Sequence, residues 1–162
     1  MTRSLLAAAL LLASSDPVLA WSEPECTMLE PSQPLCAVME WYYLRDQGGT
    51  LKIMLADGEP YLLLQHETWR TPSGTIAVLA RVDDQRSVWR EAMTKEDGML
   101  IPLLPDDLDA LARGRSLTLI TPQIEFTFPL LGSFEALNSL LTRYADFAPG
   151  GTRRAQATKG QG

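Results

Sequence analysis

The chain has 162 residues, with 14 Lys and Arg against 20 Asp and Glu, one His and two Cys, giving a formal charge of −6. An apolar share of 46% and a charged share of 21% exclude a collagen-like or wholly disordered chain, and a chain of this length can build a core without a structural metal. The acidic balance excludes a general nucleic-acid binder, because neutralising phosphates takes clustered Lys and Arg.

Residues 1–20 read as a secretory signal peptide. Arg3 supplies the positive start, Ser4 to Ala13 is almost wholly Leu and Ala, and Val18-Leu19-Ala20 fits a cleavage site. The apolar run breaks at Ser14-Ser15-Asp16-Pro17, short of the about 17–25 residues a membrane helix needs. No Cys follows the cut and no later segment is long and apolar enough to span. Neither a lipid anchor nor a transmembrane segment is therefore expected after cleavage, and the protein is expected in the periplasm or outside the cell. At the other end, Ala148 to Gly162 holds Arg153, Arg154 and Lys159, no acid and no large apolar residue, the pattern of a disordered tail. Residues 21–147 are left as one expected β-rich domain, with 10 basic and 19 acidic side chains and a net charge of −9.

Cys26 and Cys36 open this domain. In an oxidising compartment they are expected to pair, closing a loop of about 11 residues for a stabilisation of roughly 3 kcal/mol. Pro31 and Pro34 inside the loop predict a stiff segment without regular structure. A catalytic dithiol would want Cys-x-x-Cys at a helix start, which this spacing does not supply.

Beyond Cys36 the hydrophobic period is two. Val38 to Leu44 runs into Gln47-Gly48-Gly49 and the alternating Leu51, Ile53 and Leu55, then Asp57-Gly58 turns the chain into Tyr61 to Leu64. Thr75 to Val82 and Ser87 to Met93 flank an Asp83-Asp84-Gln85-Arg86 turn. Ser116 to Ile120 pairs through Thr121-Pro122 with a strand carrying Ile124, Phe126, Phe128 and Leu130 on one face. Two short helices are predicted. Asp106 to Arg113 has acids in its first turn and Gly114 as a stop, and the second starts at Ser133 with Phe134, Leu137, Leu140, Leu141 and Tyr144 on one face. The expected fold is mainly β, an antiparallel β-sandwich or open barrel with two short peripheral α-helices.

Motifs for chemistry are sparse. No nucleophile elbow, phosphate-cradling Gly-rich loop or His-Glu-x-x-His occurs. His66 is the only imidazole, and the pattern places it on a strand face near a sheet edge, with Gln65 and Glu67 on the opposite face. One His and two paired Cys cannot make a zinc site, so no metal or other cofactor is expected and no catalytic residue is assigned. Asp106, Asp107 and Asp109 suit a helix start, and Asp83-Asp84 suits a turn. Two carboxylates from distant strands could still meet as in a hydrolase. Aromatic side chains are the remaining recognition candidates. Trp41, Tyr42 and Tyr43 are consecutive on a strand and must face both sides of the sheet, at least one of which is normally solvent, so they are the candidate binding contacts, with core packing or strand-edge coverage the commoner role, while Trp69 and Trp89 are expected to fill the interior.

The order of these features resembles the invasion-associated locus B family of exported proteobacterial proteins. The matching elements are the signal followed by Trp21, the pair Cys26 and Cys36, the run Leu79 to Asp83, Leu108 to Gly114 before a strand, and Leu131-Gly132-Ser133-Phe134-Glu135-Ala136-Leu137. They cover about residues 21–142. Members often carry a second Cys pair after the central hairpin, and Ala92 to Leu100 has none. The resemblance implies an exported β-rich protein that is not an enzyme, associated in some bacteria with host-cell entry. It supplies no catalytic residues. The resulting expectation is a periplasmic or secreted protein that binds an unknown protein or small ligand of the envelope. The alternatives are a secreted hydrolase using paired carboxylates and an envelope inhibitor or maintenance protein acting on a protein partner.

Overall fold

The computed structural model describes residues 21–44 and 47–149. The expected signal at 1–20 and residues 150–162 of the expected tail lie outside the described residues. The elements run β1 (Glu25–Glu30), β2 (Gln33–Leu44), β3 (Gln47–Ala56), β4 (Glu59–His66), β5 (Gly74–Val82), β6 (Val88–Lys95), β7 (Gly98–Pro102), α1 (Pro105–Arg113), β8 (Ser116–Ile120), β9 (Glu125–Pro129) and α2 (Ser133–Phe147). All nine strands join one antiparallel sheet in the order β1-β2-β3-β4-β7-β6-β5-β8-β9. The sheet curls until β9 faces β2, where the Tyr42 and Phe128 rings meet edge to face with centroids 5.0 Å apart, yet no ladder joins those two strands. This is the expected mainly β fold with two helices, its single curled sheet left unclosed.

The register builds the core row by row. Val38 lies opposite Ile53, Ile53 opposite Leu62 and Leu62 opposite Ile101. All four are buried, and each such side chain contributes about 1.5–3 kcal/mol when removed from water. The next row is Glu40, Leu51, Leu64 and Met99, and the one beyond it Tyr42, Gly49 and His66. Period-two alternation thus places Glu40 and Tyr42 on the interior face, in phase with Cys36 and Val38.

Three expectations need correction. The segment from Cys26 to Cys36 is not irregular but a tight hairpin of β1 and β2, with the two cysteines directly opposite each other and bonded. Its prolines are tolerated because β1 is an edge strand and Pro34 sits near the hairpin end. Strand β7 was hidden by its brevity and its flanking Gly98 and Pro102, and it owes its place to pairing on both sides, with β4 and β6. In α2, the Ser133 hydroxyl does not cap the helix but donates to the Leu111 carbonyl at 2.8 Å, after Gly132 turns the chain at φ 81°. That bond rotates Ser133, Ala136, Leu137 and Leu140 inward and leaves Phe134 and Leu141 exposed.

Helix α2 packs on β2 and on α1. Asp107 of α1 accepts the Leu104 N–H at 2.7 Å, and both of its oxygens accept from one Arg90 nitrogen, at 2.9 and 2.8 Å. Asp83 stands at φ 50° in the turn after β5, and its carboxylate accepts the Arg115 and Ser116 N–H groups at 2.9 and 2.8 Å. These bonds hold its carboxyl below the ordinary range. Of the acids expected at turns and the helix start, Asp83 and Asp107 therefore do structural work. Among the described residues no group of three or more His, Cys, Asp or Glu is placed to hold a metal ion, and no helix is long and apolar enough to cross a membrane.

Candidate functional site

The edge of β2 changes character along its length. From Gln33 to Ala37 it pairs with β1, and at Glu40 it bridges to Trp21, supported by the Ser22 N–H donating to the Met39 carbonyl at 2.7 Å and the Met39 N–H donating to Ser22 Oγ at 3.0 Å. From Trp41 to Leu44 the strand pairs with β3 alone among the described residues. Strand β9 likewise pairs only with β8 among the described residues. The two unpaired edges border an opening of about 280 Å³ lined by Glu40, Trp41, Tyr42 and Glu125 to Pro129. We refer to it as the seam.

Glu40 is the unusual group in it. Its strand phase sends the carboxyl inward, into the row of Leu51, Leu64 and Met99, and it is 6% exposed. Oε2 is shielded from solvent and has no hydrogen-bond partner. Burial disfavours the charged form and pushes its pKa from the ordinary 4.5 up to about 7.

Tyr42, one residue-pair further along, is tied down. Its hydroxyl donates to the Gln65 carbonyl at 2.8 Å, and its ring lies over Gly49, where any Cβ would collide with it. Only glycine fits opposite this tyrosine. Burial holds the phenol above its ordinary range. From Tyr42 a ring layer runs across the interior. His66 lies 6.0 Å from Tyr42 and stacks on Trp69 at 5.5 Å, and Trp69 meets Phe126 at 5.3 Å.

The three aromatic candidates are thus divided. Trp41 stands outside at the lip of the seam, 60% exposed, and Tyr42 lies inside. Tyr43 takes its register place opposite Gly48, and its side chain lies outside what is described. His66 is not near a sheet edge: β4 runs between β3 and β7, and the side chain is buried. Its Nδ1 faces the Thr68 hydroxyl at 3.2 Å, and Nε2 has no partner. Among the described residues none of Glu67, Asp83 or Asp84 hydrogen-bonds it. Trp69 is half-buried in the ring layer as expected, whereas Trp89 is 67% exposed on the outer face, because β6 presents Arg90, Ala92 and Thr94 inward and its neighbours outward.

Glu40 and Glu125 are the site residues that the sequence reading passed over. The available signal was phase, since Glu40 falls in step with the buried Cys36 and Val38. No family model, curated protein or solved structure matches the chain.

Proposed function

We propose that this is an exported protein that acts by binding, and that the seam between β2 and β9 is where it binds. One observation carries the reading: Glu40 Oε2, buried and without a hydrogen-bond partner, lines an opening between two strand edges that no ladder joins among the described residues. Buried polar groups are almost always satisfied, and the exceptions call for a reason. Unpaired edges are templates for another extended chain. The Cys26–Cys36 bond and the signal-like residues 1–20 support a periplasmic or secreted setting. The motif order similar to the invasion-associated locus B family supports the same assignment, and a role in host entry rests on that resemblance alone.

A photo-crosslinking residue placed at Trp41 tests the reading in cells, against the same residue at Met93, which is exposed on the outer face of β6. Adducts at position 41 and none at 93 are expected. Adducts at neither position, or equally at both, would contradict a binding seam.

A second reading has one specific support. Glu40 and Glu125 line the same opening and differ in exposure, as the acid and its partner do in a glycoside hydrolase. Against it, a sugar site needs several free polar side chains. Here the Tyr42 hydroxyl is taken by Gln65, and Thr127 shares a hydrogen bond with Thr118. Reducing-end release from envelope polysaccharides, lost in Glu40→Gln, would favour the hydrolase.

A further inference from the structure

The reading of the seam as a binding site leaves its ligand unspecified, and the inference drawn here rests on that reading. We propose that the seam recognises an extended peptide segment of a partner protein and receives a lysine or arginine side chain from it, whose cationic head pairs with the Glu40 carboxylate.

Charge is the first argument. Among the eight residues lining the seam there are two carboxylates, Glu40 and Glu125, and no Lys, Arg or His. The residues from 21 to 147 are acidic overall, and no basic side chain of the protein hydrogen-bonds or salt-bridges Glu40 among the described residues. A cation entering from outside would supply the charge-assisted hydrogen bond that Glu40 lacks.

Shape is the second. An opening of about 280 Å³ lies at or below the usual range for small-molecule sites, roughly 300–1,000 Å³. It suits one long side chain, with apolar stem against Phe126, Phe128 and the Tyr42 ring and head at Glu40. Trp41, exposed at the lip, offers an aromatic face to a cation in transit or to an arginine plane.

The third argument concerns the main chain. Beyond Glu40 the edge of β2 has no ladder partner other than β3 among the described residues, and an extended segment laid there has its side chains in step with those of β2. Its inward position opposite Tyr42 is diagonal to Glu40, within reach of a long side chain.

Residues 150–162 would have to double back along β2 to reach the seam, so the occupant is assigned to a partner and the chain's own terminus is made an outcome of the test. Tyr144 lies beside Gly58, in the turn at the Leu35–Ala56 end of β2 and β3, whereas the seam is at the Trp41–Thr50 end.

The test is titration of the full chain with a short blocked peptide of alternating threonine and valine around one central arginine, and with its citrulline counterpart, read by calorimetry and tryptophan fluorescence. At least tenfold tighter binding of the arginine peptide is expected, and Glu40→Gln, with folding checked by circular dichroism, should abolish that preference. Equal binding of both peptides, or a preference that survives Glu40→Gln, would overturn the cationic ligand and leave the binding seam standing. No binding of either peptide would overturn the peptide ligand, and crosslinking at Trp41 would then decide separately whether the seam binds at all. If replacing Arg153, Arg154 and Lys159 together by Gln tightened the arginine peptide tenfold, the occupant would be this chain's own terminus, and the assignment to a partner would fall.

Discussion

Two charged side chains point toward the apolar interior, Arg90 from β6 and Glu40 from β2, and the molecule treats them in opposite ways. Arg90 meets Asp107 of α1 at 2.8 Å, and the same carboxylate holds the Leu104 N–H, so the charge is paired and the helix start is anchored at once. Glu40 lies deeper, and its Oε2 has no hydrogen-bond partner among the described residues. The difference separates a closed region, where helices, disulfide and turn acids satisfy most polar groups though not Arg81 Nε, from an open one where Glu40 Oε2 is buried without a partner among the described residues. A buried charge with a partner is tolerable; a buried charge without one costs stability and is the kind of feature that function retains.

The largest effects should mark this division. Replacing both Cys26 and Cys36 by Ser removes the staple of the closed region and should cost about 3 kcal/mol in urea unfolding. A loss below about 1 kcal/mol would show that the β1–β2 hairpin holds without the bond. Glu40 should give an effect of similar size and opposite character. Its pKa is raised from 4.5 to about 7 in the folded protein, so the folded state keeps a proton that the unfolded state releases. Its contribution is fully present below pH 4.5, falls as pH rises through 7, and is lost above that, for a total of about 3 kcal/mol. Glu40→Gln should lack this dependence and be more stable than the native protein at pH 8 by about that amount. A constant difference between the two proteins from pH 4.5 to 8 would contradict a desolvated Glu40.

Smaller effects sharpen the comparison. Asp107→Asn leaves Arg90 without its charge partner in a partly buried place, and a loss of about 1–2 kcal/mol is expected, between the values of exposed and buried pairs. Tyr42→Phe removes one hydrogen bond to the Gln65 carbonyl, and about 1 kcal/mol is expected in the same assay. Trp41→Ala should change stability by less than about 0.5 kcal/mol, because the ring covers little of the core, and yet weaken binding at the seam. A Trp41→Ala variant that unfolds readily would reassign that side chain from recognition to packing.

Much of the barrel was legible because period two survives along β3, β5, β8 and β9, and Asp57-Gly58 and Asp83-Asp84 mark their turns by residues that accept positive φ. What escaped was set by contacts distant in sequence. Strand β7 is five residues long and exists by pairing with β4, across the intervening β5 and β6. The face of α2 was misjudged by Phe134 and Leu141, whose size suggested burial, while a single bond from Ser133 to Leu111 decided the rotation. The cysteine hairpin was obscured by prolines that an edge strand can carry. At the seam, two of the three consecutive aromatics, Trp41 and Tyr42, line the opening. Glu40, just before them, reads as a polar break in a strand until its phase is compared with Cys36 and Val38. That Glu125 shares the opening follows only from the curl that brings β9 back to β2, which no local pattern contains.

The most direct measurement is an NMR titration of the Glu40 side-chain carboxyl carbon in the free protein and with the arginine peptide present. A midpoint near 7 is expected in the free protein, moving below 5 when the cation is bound, since an adjacent positive charge favours the ionised carboxylate. A midpoint near 4.5 in the free protein, or one that the peptide leaves unmoved, would contradict a buried carboxylate waiting for a cation.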